Sequence, residues 1–210
     1  MPEYPFSALI LAGGRSLRMG LAKAALRFGS STILEHLFGQ LEAVSDEVIV
    51  MAAPLSDETF SIDKLFGAKH RELRILRDKT PFAGPVPALI SGLHAARNPV
   101  VFVCSCDLPL LRGEIAATLC RIVGDYEVAA PEIGGRLQPL CAAYKKDVAV
   151  KIEELWRAGE SRVTAIVEGL SRRQVSEAEM RSVDPDLRSF LNLNTPEDYQ
   201  RALTLAGLKA

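Results

Sequence analysis

Apolar and polar positions along the chain alternate between short solid runs and helical stripes. Ala8 to Ala12 is the first solid run, the pattern of a strand buried on both faces. Thr32-x-x-Glu35 then reads as a capping box, and Ile33, Leu34, Leu37, Phe38, Leu41 and Val44 follow at helical spacing. Val48 to Met51 is a second strand, so the opening unit is strand–helix–strand, expected to be a right-handed parallel crossover. Ser56 to His70 is polar and mixed, which predicts a helix and a loop. Leu73 to Leu76 reads as a third strand. Beyond it, Pro87 suits the first position of a helix carrying Leu89, Ile90, Leu93 and Ala96. Val100 to Cys104, bounded by Asn98-Pro99 and Ser105, is the strongest strand pattern in the chain.

The second half continues the alternation. Gly113 to Val123 predicts a helix with Ile115, Leu119 and Ile122 on one face, and Val128 to Ala130 a short strand. Gly134-Gly135 makes a turn. Leu137 to Tyr144 predicts a strand that Pro139 confines to an edge or bulge. Asp147 to Arg157 and Val163 to Glu168 predict helices, and Arg181 to Val183 a short strand. Thr195 as N-cap and Pro196 as first residue open a last helix that runs to about Ala206, with Gly207 as its stop. No repeat or linker divides the chain, and 210 residues suffice for one α/β domain spanning 1–210.

Composition narrows the class. An apolar fraction of 48% and a charged fraction of 24% are ordinary for a soluble globular protein. A net charge of −1 provides no global attraction to nucleic acid or to an anionic membrane, so any anion site must be a local patch. No apolar run reaches the length of a membrane span, and the first residues, with Glu3 and no basic region, do not read as a secretory signal. The expected location is the cytoplasm. There Cys104, Cys106, Cys120 and Cys141, which form no Cys-x-x-Cys pair, are expected to be reduced core residues. His36, His70 and His94 are scattered and suggest no chemistry.

Three places carry candidate chemistry. Gly13 to Gly20 follows the first strand directly and holds three glycines with Arg15 and Arg18, and Lys23 lies just beyond. Glycine lets backbone approach a ligand closely, and successive free N–H groups in such a turn form a concavity for anions. The stretch reads either as a phosphate cradle at the carboxyl end of an α/β sheet or as a tight turn with exposed arginines. It is neither a P-loop nor a Gly-x-Gly-x-x-Gly fingerprint, because Gly13 and Gly14 are adjacent and Gly20 is followed by Leu21 and Ala22. Asp78 ends the third strand, ahead of a stiff loop with Pro81, Pro85 and Pro87. Asp107 lies just past the carboxyl end of the strongest strand. A carboxylate there either holds Mg²⁺, which takes one or two carboxylates plus substrate phosphates, or caps the turn before Pro109.

Taken together, these motifs resemble the molybdenum cofactor guanylyltransferase family, the MobA-like nucleotidyltransferases. The matching stretches are Leu11-Ala-Gly-Gly-Arg-Ser-x-Arg-Met-Gly20 with Lys23, Asp78 ahead of Gly84-Pro85, and Cys106-Asp-x-Pro109. Gln138-Pro-Leu140 with Tyr144, Ala158-Gly-Glu-x-Arg162 and Asn192-Leu-Asn-Thr-Pro-Glu-Asp198 complete the set, which covers nearly the whole chain. The resemblance implies a three-layer α/β/α Rossmann-like fold, mostly parallel, with one or more antiparallel strands. It implies transfer of GMP from GTP to the terminal phosphate of molybdopterin, with release of pyrophosphate and with Mg²⁺ as cofactor.

Leu11, Ala12, Gly13, Gly14 and Lys23 would then bind the nucleotide, with Arg15 helping to cradle the triphosphate. Asp78 would lie beside the bound nucleotide and Asp107 would be the Mg²⁺ ligand. Arg136, Arg162, Asn192 and Asn194 read either as acceptor-binding residues or as surface arginines and loop-capping asparagines. Partners would be GTP and the molybdopterin cofactor as small molecules, neither nucleic acid nor membrane, in a monomer or weak oligomer with transient contacts to proteins that handle the cofactor. Three departures stand out: Ala22 where the family has Asp, Ala52 and Ala53 where it offers a base-reading Asn, and Gly84-Pro-Val-Pro-Ala88 for Gly-Pro-Leu-Ala-Gly. They leave open a related transferase that uses CTP or a sugar-phosphate acceptor, and a nucleotide-binding module without turnover.

Overall fold

The computed structural model describes residues 4–13, 23–54, 66, 73–78 and 84–208. The helix and loop expected over Ser56 to His70 fall outside the described residues except for buried Phe66.

Among the described residues, an eight-stranded mixed sheet organises the chain. Its strands are β1 (Ser7–Leu11), β4 (Glu47–Ala52), β5 (Leu73–Arg77), β6 (Val100–Ser105), β7 (Val128–Ile133), β8 (Arg136–Leu137), β9 (Cys141–Lys145) and β10 (Arg172–Val175). A separate small hairpin joins β2 (Arg27–Phe28) to β3 (Ser31–Thr32). The sheet order is β10-β7-β9-β6-β1-β4-β5, with β8 paired to β7. β1 runs parallel to both β4 and β6, and β9 is antiparallel to its neighbours β6 and β7. β1 and β4 are buried at every position, as their solid apolar runs require.

Helices cover both faces. One face packs against α1 (Ile33–Glu42), α3 (Gly113–Ile122), α6 (Glu177–Arg181) and α7 (Pro196–Leu205). The other packs against α2 (Pro85–Ala95), α4 (Ala149–Arg157) and α5 (Val163–Glu168). Strand alternation sorts the core between them: Ala8, Ile10, Phe102 and Cys104 face the first set, and Leu9, Leu11, Val101 and Val103 the second. The result is the α/β/α layering expected for this fold class. The capping boxes at Thr32–Glu35 and Thr195–Asp198 both form.

Four local expectations change. α2 begins at Pro85, not Pro87, because Gly84 takes φ +83° and turns the chain into the helix there. Pro139 splits the Leu137–Tyr144 run into β8 and β9, with a turn between them. The strand expected at Arg181 to Val183 lies instead at Arg172–Val175. Ser176 and Glu179 form a capping box there that starts a helix through Arg181. The β2–β3 hairpin, turning at Gly29-Ser30 with Gly29 at φ +66°, was not expected from the pattern.

The chain winds from β1 out to β4 and β5, then returns to the other side of β1 as β6. That reversal is a topological switch point, and in open α/β sheets ligands bind in the crevice outside the carboxyl ends of the strands there. The carboxyl ends of β1 and β6 sit side by side, with Leu11 opposite Ser105 and Leu11 opposite Met51.

Candidate active site

The site is assembled by backbone bonds at the ends of the central strands. Just past β1, the Ala12 amide donates to the Met51 carbonyl over 2.9 Å, and the Leu11 carbonyl accepts from the Cys106 amide over 3.1 Å. The first bond holds Ala12–Gly13 against β4, and the second holds Cys106–Asp107 against β1. On the far side, the Asp78 amide donates to the Ala52 carbonyl over 3.0 Å. Residues distant in sequence thus converge on one rim of the sheet.

Their side chains meet there. Lys23 Nζ lies 3.7 Å from Asp107 Oδ2, with the two side chains 12% and 24% exposed. That separation is an electrostatic contact longer than a hydrogen bond, so the ammonium donors are not spent on Asp107. The other carboxylate oxygen, Oδ1, accepts from the Ser105 hydroxyl. Asp107 therefore presents one oxygen toward the lysine and has the other fixed by its own strand.

Asp78 closes the opposite side. A Cβ placed on Gly13 would come 3.0 Å from Asp78 Oδ2 and 3.5 Å from the Ala53 amide nitrogen, so position 13 accepts glycine alone without displacement. Burial pushes the Asp78 carboxyl above its ordinary value. The Arg77 guanidinium donates to the Ala53 carbonyl over 3.0 Å, just past the end of β4.

The cysteines around this rim are free thiols. Burial, and then the nearby Asp107 charge, push the Cys106 thiol up to about 12, and burial drives Cys104 and Cys141 upward as well. They remain protonated and serve as packing rather than nucleophiles.

The structure thus brings Leu11, Ala12, Gly13, Lys23, Asp78 and Asp107 to one end of the sheet. Gly14, Arg15, Arg18 and Gly20 lie outside the described residues. Asn192 and Asn194 flank buried Leu193, whose amide donates to the Asp107 carbonyl over 2.9 Å, so they border the same rim. Their other contacts are local: Asn192 Nδ2 donates to the Phe190 carbonyl, and the Asn194 amide to Asp198. Arg162 is exposed and engages Glu160 through both Nε and Nη2, which holds that carboxyl down to about 2. Arg136 sits on β8 beside a cavity of about 420 Å³ that also touches Thr164, Glu168 and Arg172. Neither arginine makes a described bond to the Lys23–Asp107 pair. Ser105 and the Leu193 tie were not foreseen. Only the two-residue spacing of Ser105 and Asp107 hints at the first, and the second spans 86 residues.

A model described as the MobA-like NTP transferase domain matches residues 8–176. The chain belongs to that family. A MobA-like member is a nucleotidyltransferase, so the protein is an enzyme, and Gly13, Lys23, Asp78 and Asp107 all lie within the matched residues. One relative is the probable molybdenum cofactor guanylyltransferase of Methanosarcina mazei. It is 36% identical over 200 residues, which make up 94% of this chain and 89% of that protein. Among solved structures, the molybdopterin-guanine dinucleotide biosynthesis protein A of Archaeoglobus fulgidus superposes with a TM-score of 0.79 at 18% identity, covering 96% of this chain and 98% of its own. A Mycobacterium tuberculosis protein crystallised as a complex with manganese shares the fold at a TM-score of 0.62 and 13% identity, with 95% and 98% covered.

Proposed function

We propose that the enzyme transfers GMP from GTP to the terminal phosphate of molybdopterin and releases pyrophosphate. The observation that carries this reading is the Lys23–Asp107 pair, set 3.7 Å apart at the switch point of the sheet beside the Gly13 turn. A polyanion and a divalent cation need such a place, with a fixed positive charge, a hard oxygen donor and backbone that a phosphate can approach. The names of relatives such as the Methanosarcina mazei protein supply the base and the acceptor.

The residues present fit a phosphate-bridged divalent ion. Among the described residues no group of three or more His, Cys, Asp or Glu forms a cage. Asp107 offers one partly exposed carboxylate whose Oδ2 makes no hydrogen bond to Lys23, and one carboxylate is what Mg²⁺ uses when substrate phosphates and water complete its shell. When bound, such an ion would polarise the α-phosphate and neutralise charge on the departing pyrophosphate.

In the reaction, a terminal phosphate oxygen of the acceptor attacks the α-phosphorus of GTP. The new P–O bond forms as the bond from that phosphorus to the β-bridging oxygen breaks, and the electron pair leaves with pyrophosphate. The acceptor oxygen is already anionic, so no general base is needed. Positioning and charge stabilisation dominate. Leu11, Ala12 and Gly13 place backbone against the nucleotide, with Gly14 and Arg15 of the same motif cradling the triphosphate. Lys23 offsets charge as it builds on the leaving group, and Asp107 would hold the metal. Asp78 borders the nucleoside. Asn192 and Asn194, next to Asp107 through Leu193, are better placed for the acceptor than Arg136 or Arg162.

The same reading takes residues 1–210 as one nucleotidyltransferase domain working as a monomer or weak oligomer in the cytoplasm, in transient contact with proteins that handle the cofactor. No helix among the described residues is long and apolar enough to cross a membrane.

Incubation with Mg²⁺, molybdopterin and each of the four NTPs, followed by product mass, tests the proposal. A guanine dinucleotide of molybdopterin is the expected product, and a product with CTP alone would overturn the base assignment. Lys23→Ala is expected to slow pyrophosphate release by about 10²–10³, the usual cost of removing one charge-stabilising donor. Unchanged turnover in that variant would remove Lys23 from the mechanism.

A further inference from the structure

The two charged arms of the site are far apart in sequence, yet one stretch of chain touches both. Residues 184–193 lie along the loop that follows Asp107. The Leu193 amide donates to the Asp107 carbonyl over 2.9 Å. The hydroxyl of fully buried Ser189 accepts from the Arg112 amide over 3.2 Å and donates to the Leu110 carbonyl over 3.5 Å. Ser189 is held in turn, because its amide donates over 2.7 Å to the buried Asp184 carboxylate. Leu187 supplies the bend at φ +54°, a left-handed conformation that a leucine adopts only when its surroundings impose it.

The same stretch continues into α7, which reaches the other arm. Tyr199 packs on the core, and its hydroxyl donates over 2.5 Å to the Arg27 carbonyl in β2. β2 is joined to the 3-10 turn Lys23–Ala25 through Leu26, whose amide donates to the Lys23 carbonyl over 3.2 Å. Leu208 then packs against the β2–β3 turn, where a Cβ on Gly29 would come 3.1 Å from its Cδ2. The hairpin that follows the Lys23 turn thus rests on the helix whose preceding segment is tied to Asp107.

We infer that residues 184–208 form a brace that sets the separation of Lys23 and Asp107, with Tyr199 the positioning residue on the lysine side and Ser189 on the aspartate side. All of it lies beyond the 8–176 matched by the family model. Neither side chain needs to touch substrate. Each acts through backbone that carries a charged group. The inference rests on the proposed roles of Lys23 and Asp107, and its test separates the two.

The test is a double-mutant cycle read by calorimetric titration of GTP in saturating Mg²⁺, so that binding is measured without acceptor or turnover. Tyr199→Phe keeps the ring on the core and removes only the hydroxyl. It is expected to weaken GTP binding about tenfold, the scale of coupling between residues in one network, while the thermal midpoint stays at the wild-type value. The Lys23→Ala, Tyr199→Phe double variant is expected to bind no more weakly than Lys23→Ala alone, because the hydroxyl acts through that lysine. Losses that multiply, or wild-type affinity in Tyr199→Phe, would overturn the brace while leaving the role of Lys23 intact. Wild-type affinity in Lys23→Ala would overturn both. The other arm is read with Ser189→Ala, expected to raise about tenfold the Mg²⁺ concentration that gives half-maximal GTP binding. An unchanged Mg²⁺ requirement would sever Ser189 from Asp107.

Discussion

Ser105 illustrates how one hydroxyl can decide what a carboxylate does. It ends β6, donates to Oδ1 of Asp107, and so leaves Oδ2 as the oxygen that faces Lys23. A free carboxylate samples rotations about its terminal torsion, which is broad and twofold, whereas a carboxylate bonded at one oxygen presents the other in a narrow arc. Ser105→Ala is expected to lower affinity for the divalent cation by about tenfold, within the 10–100-fold that loss of a supporting partner costs a metal site. Ser105→Thr, which keeps the hydroxyl, should restore most of it. Titration of Mn²⁺ binding in the presence of GTP, read by paramagnetic relaxation of water, measures this directly. Equal affinities in wild type and Ser105→Ala would reduce Ser105 to a packing residue. At this scale the sequence was informative about charged residues and silent about their supports. Asp78 and Asp107 announce themselves as carboxylates at strand ends, but the partner of a carboxylate is set by tertiary placement. The short Ser105-x-Asp107 spacing gains meaning only once β6 stops at Ser105.

Among elements, the legible ones are those whose burial follows from a local pattern. β1, β4 and β6 are solid apolar runs because both faces are covered by helices, and α1 and α7 declare their starts by capping chemistry. β10 was missed because an edge strand need bury little. Arg172, Arg173 and Gln174 give it no apolar run, and its place comes from parallel pairing with β7. The β2–β3 hairpin was missed because two-residue strands leave almost no periodicity, although Gly29-Ser30 is a serviceable turn. One helix contact makes a sharp test at this scale. α3 starts at Gly113, and a Cβ there would come 2.5 Å from the Gln40 carbonyl of α1, with both γ-carbons of Val44 also inside 3.4 Å. The obstacle is backbone, which cannot turn aside as a side chain would. Gly113→Ala is expected to destabilise the fold by about 1–3 kcal/mol through forced separation of α1 and α3. The better helix propensity of alanine, worth about 1 kcal/mol, offsets part of that. Urea denaturation gives the sign: a higher midpoint in Gly113→Ala would mean that the helices part at no cost.

Across the whole molecule, the two ends of the sheet do different work. The carboxyl end gathers Gly13, Lys23, Asp78 and Asp107. The amino end is tied by Glu47, which is 1% exposed at the start of β4. Its carboxylate accepts from the Ser7 hydroxyl over 2.7 Å, the Arg74 guanidinium over 2.6 Å and the Arg97 amide over 2.9 Å, joining β1, β4, β5 and the link into β6. Burial alone would raise the Glu47 carboxyl, but the Arg97 amide, the Arg74 guanidinium and the Ser7 hydroxyl outweigh it and hold the carboxyl below its ordinary value. A depressed folded-state value means that the unfolded chain takes up the proton first. The stabilisation is therefore complete above about pH 4.3, the ordinary glutamate value, and is lost as pH falls through the lower value of the folded protein. Glu47→Ala is expected to cost about 3 kcal/mol at pH 7, since it removes the acceptor of the buried Ser7 hydroxyl and of the Arg97 amide and the carboxylate that pairs with Arg74. It should also flatten the acid side of the stability profile, because the group that linked folding to protons is gone. GTP affinity of the folded variant should be unchanged, for the proposed nucleotide rim lies at the other end of the same strands. Denaturant unfolding at several pH values between 3 and 7, paired with GTP titration at pH 7, reads all three. An equally steep acid limb in wild type and Glu47→Ala would assign the acid sensitivity to other carboxylates, and a large loss of GTP affinity would show that the two ends are not independent.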